Sequence, residues 1–408
     1  MNKQRVFSLL ISVFVLGILS GLVAGILGFF MDWIAELFLA FNETNKMPVA
    51  VNATSFRRLL SPILASLLSS LIWFLIRRQK KIPKISQVIE GEKMPFIGSV
   101  AHIFNQLLYV GAGGSVGREL APREFATLLA EKWQRLLTFF KLDYLTAEDK
   151  RLLIASAAGA GFAGAYLSPL TGMFFCIEIL YKKISKKSIA ISLTMSLIAM
   201  QIGILMKGNE PYYLLGLETF SSKSFLLTLF LSPLLGLLAA FFRRSFLWAE
   251  RNQSKDKKIL WQLPLAALLT GFISMLFPQI MGNGRGLAQL SFNAESQELI
   301  VTLLLIALLK GPVTVMTIRA GAAGGTLTPS ISMGASLGAS LVLVFPILPV
   351  WQGAMIGAVA FLSAAQQAPL MALFMMLEIS HLPLSSVAPL ALSACLSLAS
   401  SQMILKKL

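Results

Sequence analysis

Two cysteines and two histidines in 408 residues leave little material for metal or redox chemistry. Cys176 and Cys395 each lie in an apolar segment, and His102 and His381 stand alone, so neither a disulfide framework nor a metal site is expected. Charge is scarce as well, at 13% of residues, with only 19 acids. No nucleophile, base or metal constellation assembles from so few groups, which excludes an enzyme, and no cofactor is expected. Soluble domains are missing too. The longest polar connections, 130–150 and 251–258, read as linkers.

What the chain has in excess is hydrophobic surface, 56% of residues, the composition of an all-α polytopic membrane protein. A net charge of +16 would suit nucleic acid, yet Lys and Arg gather in short clusters between apolar runs, such as RRQKK at 77–81. A lipid bilayer is therefore the expected partner, and nucleic acid is not. The same clusters assign the chain to the cell membrane with both termini in the cytoplasm, although Arg57 and Arg58 fall on the wrong side of that assignment. The first apolar run, Val6 to Phe41, is too long for a signal peptide and is retained as a span. Gly17, Gly21, Gly25 and Gly28 recur along it at three or four residues and give it one small face for helix contact. Arg151 to Tyr181 reads as one segment rich in Gly and Ala.

Halfway along, the pattern returns. Gly21 and Trp33 match Gly236 and Trp248, Pro122 matches Pro329, Pro169 matches Pro369 and Glu178 matches Glu378, in the same order. Several ordered matches argue for a duplicated unit, 1–206 and 207–408. Interrupted helices at matching places mark the binding site of a transporter built from inverted repeats. Here those places are GGSVGRELAP and AGGTLTP.

The first of them centres the chain. Gly111 to Glu124 reads GAGGSVGRELAPRE, a glycine run followed by Arg118, Glu119 and Pro122 between apolar segments. An acid at membrane depth is costly, so Glu119 needs a reason to be there. If a helix begins near Leu120, its first amides face an anion-sized space that Glu119 either fills or leaves. The bland alternative is a polar kink between packed helices. GAGFAG, from Gly159, matches a nucleotide fingerprint only in outline, because no strand precedes it, and close helix packing is the reading adopted.

GRELAP at Gly117 resembles the G-R-E-G-P signature of the CLC chloride channels and proton-coupled chloride transporters, with Pro122 one position late. GGTLTP at Gly324 is similar to that family's second motif, G-x-F-x-P. The resemblance implies two inverted repeats with broken and re-entrant helices, and a homodimer in which each subunit has its own pore. It makes Glu119 the gate and places the anion, chloride first, among amides around Gly117 and Leu120 and around Thr326, Leu327 and Thr328. Arg118 either draws anions in or pairs with an acid such as Glu178. Departures are equally specific. Lys80 stands where the family has a serine on the anion, either attracting anions or marking a helix entrance. Ile179 stands at the internal proton carrier, so protons either do not couple or use Glu178 or another acid. The pore tyrosine and a C-terminal regulatory domain have no counterpart. Channel and exchanger both remain open, as do a fluoride-exporting relative and an organic-anion transporter of different inverted-repeat fold. Arg285, in GNGRG, reads as a structural turn.

Overall fold

The computed structural model describes residues 3–79, 81–216 and 218–406. Lys80 therefore lies outside the described residues. All regular structure among them is helical, apart from one two-residue bridge. In chain order the helices are α1 (Lys3–Leu39), α2 (Ser55–Gln79), α3 (Ile85–Ile89), α4 (Phe96–Gly111), α5 (Leu120–Phe139) and α6 (Ala147–Tyr166). Next come α7 (Pro169–Phe174, continued by a π-helical stretch, Phe175–Tyr181), α8 (Lys186–Lys207), α9 (Lys223–Arg251), α10 (Ile259–Leu276) and α11 (Arg285–Phe292). The series closes with α12 (Leu299–Arg319), α13 (Leu327–Val344), α14 (Val350–Gln366), α15 (Pro369–Ile379) and α16 (Val387–Leu405). Among the described residues eight helices are long and apolar enough to cross a membrane, while α4, α7 with its π-helical continuation, α14 and α15 are shorter apolar pieces. Short apolar helices inside a bilayer need protein around their ends, because lipid offers no hydrogen bonds.

Contacts divide the chain into two compact units. The first comprises residues 1–30, 75–105 and 119–210. Within it the glycine face of α1 meets α8 so closely that a Cβ on Gly21 would lie 2.7 Å from the carbonyl oxygen of Ala199. GAGFAG is packing surface, as expected: a Cβ on Gly159 would stand 2.3 Å from the Gly172 carbonyl, and one on Gly161 2.4 Å from the Pro122 carbonyl. The linker expected at 130–150 is corrected. Helix α5 runs on to Phe139 and α6 starts at Ala147, because polar side chains there bond within the fold. Trp133 Nε1 donates to Ser12 Oγ at 2.9 Å and Lys132 Nζ to the Met94 carbonyl at 2.7 Å.

Residues 151–181 are likewise not one helix. Leu167 adopts a left-handed conformation (φ 54°), the amide of Ser168 donates back to the Ala163 carbonyl, and Pro169 opens α7. Such a reversal ends a helix by satisfying its last carbonyls, and a proline cannot continue it. Two hundred residues later the break recurs, with Gln367 at φ 57°, Ala368 donating to Ser363 and Pro369 opening α15.

The second unit comprises residues 31–74, 106–118 and 211–408. Helix α13 is its most enclosed span and crosses α14 at paired glycines, where a Cβ on Gly334 would lie 2.2 Å from the Gly357 carbonyl. Helices α9 and α16 meet at Gly236, 2.3 Å by the same measure from the Ser397 carbonyl. Arg57 and Arg58, which run against the charge bias, both have carbonyl partners. Arg57 bonds Phe38 and Leu37, while buried Arg58 bonds Ser274 and Met275 at the last turn of α10, where helix carbonyls lack internal donors.

Candidate anion site

Glycine at 113, 114 and 117 lets the chain between α4 and α5 turn tightly and approach other backbone. Gly113 takes φ +101°, a conformation an L side chain disfavours, and bonds Val110 through its amide and Gly282 through its carbonyl. Four residues on, Gly117 and Gly325 exchange two backbone hydrogen bonds, each 2.8 Å, as an antiparallel bridge. The two motifs singled out in the sequence are thus clasped together. A Cβ at Gly324 would sit 2.4 Å from Val116 Cγ2 and 2.9 Å from the Gly117 carbonyl, so no larger residue fits there. One expectation is corrected: the Gly117 amide is spent on Gly325 and does not face an ion.

Both strands of the clasp run directly into helices. Glu119 precedes α5 and Thr326 precedes α13, and each helix has leucine first and proline third, Leu120 with Pro122 and Leu327 with Pro329. Helical geometry leaves the first amides, those of Leu120 and Ala121 and of Leu327 and Thr328, without acceptors in their own helix, and proline contributes none. The partial positive charge of a helix start adds to them. The Glu119 side chain is fully buried, and its carbonyl accepts from Arg123 Nε at 2.6 Å. Arg123 in turn lies over the Phe175 ring at 4.8 Å. Thr326, Leu327 and Thr328 are all buried, with the Thr326 hydroxyl accepting from Gln366 Nε2.

Arg118 is bonded to an acid the sequence reading did not weigh. Its guanidinium meets Glu43 at 3.1 and 3.3 Å and donates to the Tyr212 hydroxyl at 3.1 Å. Arg285 follows the turn at Gly284 and opens α11, where it bonds Glu43 at 2.6 Å and stacks on the Tyr212 ring at 3.9 Å. Tyr212 stays a neutral phenol, since burial pushes it above its ordinary value.

Lys310 was missed altogether. It lies midway along α12 with no exposed surface and donates to Ser115 Oγ at 2.9 Å and to the Ile280 and Gly282 carbonyls at 2.8 Å each. A lysine inside the apolar run LIVTLLLIALLKGPV was the available signal, because an ionisable group in a spanning helix usually has a use. Glu124 was missed as well. It is buried 3.7 Å from His102 Nε2, so His102 is not isolated. Glu178 falls, half-buried, in the π-helical stretch after α7.

Residues 65–402 match the family model described as voltage gated chloride channel. The chain belongs to that family. Two relatives named voltage-gated ClC-type chloride channel ClcB agree over most of their length. The Salmonella typhi protein is 27% identical over 392 residues, covering 92% of this chain and 91% of the relative. The Escherichia coli (strain K12 / DH10B) protein is 26% identical over 366 residues, covering 86% and 84%. Among solved structures, a slow cyanobacterial Cl-/H+ antiporter aligns with a TM-score of 0.75 at 20% identity, over 97% of this chain and 95% of that one. A CLC-type fluoride/proton antiporter gives 0.70 at 20%, over 100% and 97%. At such identities the likeness establishes the CLC fold, an all-helical multi-pass membrane architecture.

Proposed function

We propose that this chain carries small inorganic anions, chloride first, across the cell membrane through a pore gated by Glu119. One observation carries the reading: the bonded pair Gly117 and Gly325 lies, along the chain, directly before two helix starts of matching sequence, and a fully buried carboxylate precedes one of them. A carboxylate and a chloride ion are alternative ligands for such amides, so protonation or displacement of the acid admits the ion. Membership of the chloride channel family and the names of the ClcB relatives support the same cargo. The recurrence of the Leu167–Pro169 break at Gln367–Pro369 supports duplicated halves, 1–206 and 207–408. A homodimer with cytoplasmic termini completes the proposal.

Purified protein in liposomes tests it by flux of chloride, fluoride and a bulky organic anion. Chloride moves, the bulky anion does not, and Glu119→Gln gives faster flux that no longer depends on pH. Transport of the bulky anion alone, or unchanged pH dependence in Glu119→Gln, overturns the assignment.

Proton-coupled exchange is the second reading, favoured by the buried Glu124 beside His102. Ile179 removes the family's usual acid, and Glu124 supplies another. Under an imposed pH gradient Glu124→Gln abolishes the shift in reversal potential while anion flux persists. A gradient that moves no anion in the wild type rules coupling out.

A further inference from the structure

Arg118, the residue directly before the proposed gate, shares one carboxylate with a guanidinium 167 positions away. Glu43 comes from the α1–α2 connection, and its Oε1 accepts from both Arg118, at 3.1 Å, and Arg285, at 2.6 Å. Both cations also lie over the ring of Tyr212, at 5.4 and 3.9 Å, and bond its oxygens. The three side chains are largely withdrawn from water, with 19%, 10% and 9% of Arg118, Glu43 and Arg285 exposed. A cavity of about 50 Å³ lies beside Glu43, Gly113 and Arg285, room for a water or a small ion. Two cations and one anion leave this cluster with a single positive charge.

We propose that Glu43 is an affinity-determining residue for the transported anion: it holds Arg118 and Arg285 together and cancels half of their charge, so that a passing ion is attracted without being trapped. The inference rests on the proposed anion transport. Conduction requires binding that is favourable yet weak enough to release. With Glu43 neutral, the cluster carries two positive charges. Taking the ion about 10 Å away and an effective dielectric between 20 and 80, one unit charge corresponds to roughly a two- to fifteenfold change in anion affinity. Salt at 1 M, where the Debye length is about 3 Å, weakens that attraction only in part, because the cluster is largely withdrawn from water.

The test measures the apparent KM for chloride of the full chain in liposomes, at low and high concentrations of an impermeant salt. Glu43→Gln lowers KM two- to fifteenfold at low salt and by a smaller factor at high salt, Arg285→Gln raises it by a similar factor, and the double variant returns near the wild type. A merely structural role gives another pattern: both single variants lose flux together, at every salt concentration. That pattern, or an unchanged KM in Glu43→Gln, overturns the inference. If Glu43→Gln does not fold, Arg285→Gln decides alone, and a wild-type KM in it counts against the proposal. If the wild type moves no chloride, the transport reading fails and takes this one with it. Chloride flux with no charge-dependent shift sinks only the role of Glu43.

Discussion

Replacing Lys310 by methionine is the sharpest test of how the filter loop is held. The ammonium donates to three neutral acceptors at 2.8–2.9 Å, one from the loop before α5 and two from the connection between α10 and α11. Hydrogen bonds from a charged donor contribute roughly 1.5–3 kcal/mol each, but withdrawing the ammonium from water costs several kcal/mol. Methionine has similar length, so no cavity opens, and it abolishes the desolvation cost along with the bonds. What remains is two buried acceptors and one half-buried acceptor without their donor, at roughly 1 kcal/mol or more for each buried one. The balance is a destabilisation of about 1–3 kcal/mol, read as a fall in Tm on the order of 5 °C in detergent. Ser115 loses its tether, so chloride flux falls on the order of tenfold even where the protein is fully folded, about 1.4 kcal/mol in loop position. Ser115→Ala removes one acceptor and loosens the same point with a smaller loss of Tm. Methionine at 310 with wild-type melting and wild-type flux would refute the reasoning, because the lysine would then hold nothing.

Gly324→Ala drives a Cβ to within 2.4 Å of Val116 Cγ2, so flux falls sharply, and Val116→Ala in the same chain restores part of it; no recovery would mean that the backbone contact with Gly117 dominates. A different prediction concerns the polar end of α6. Burial raises the Asp149 carboxyl, but hydrogen bonds from Arg5, Lys187 and Thr146 outweigh it and hold the group well below the usual carboxylate range. A depressed folded value means stability present above the unfolded pKa of about 3.9 and lost as pH falls through the folded one. The Tm difference between wild type and Asp149→Asn should accordingly be constant from pH 5 to 8 and shrink below about pH 4. A difference that instead changed between pH 6 and 8 would assign the effect to another group.

How much of this was legible beforehand divides along one line. The helix starts at Leu120 and Leu327 were readable because proline, glycine and apolar periodicity act within a few residues. The small faces at Gly21 and Gly159 were readable for the same reason, since spacing alone places them on one side of a helix. The end of α5 was not readable: Lys132 and Trp133 look like linker residues until Met94 and Ser12 are there to receive them. Nor was the fate of the Gly117 amide, which depends on a carbonyl 208 residues away.

By itself, then, the sequence determined that this is a helical membrane protein with two interrupted helices and an acid at one of them, because hydrophobicity and backbone propensity are local. Only the tertiary structure decided which groups surround that place. Glu43, Arg118 and Arg285 meet across 242 positions, and Lys310 reaches Ser115 across 195. A buried charge takes whatever partner the fold delivers to it, and no spacing rule within the chain records that delivery.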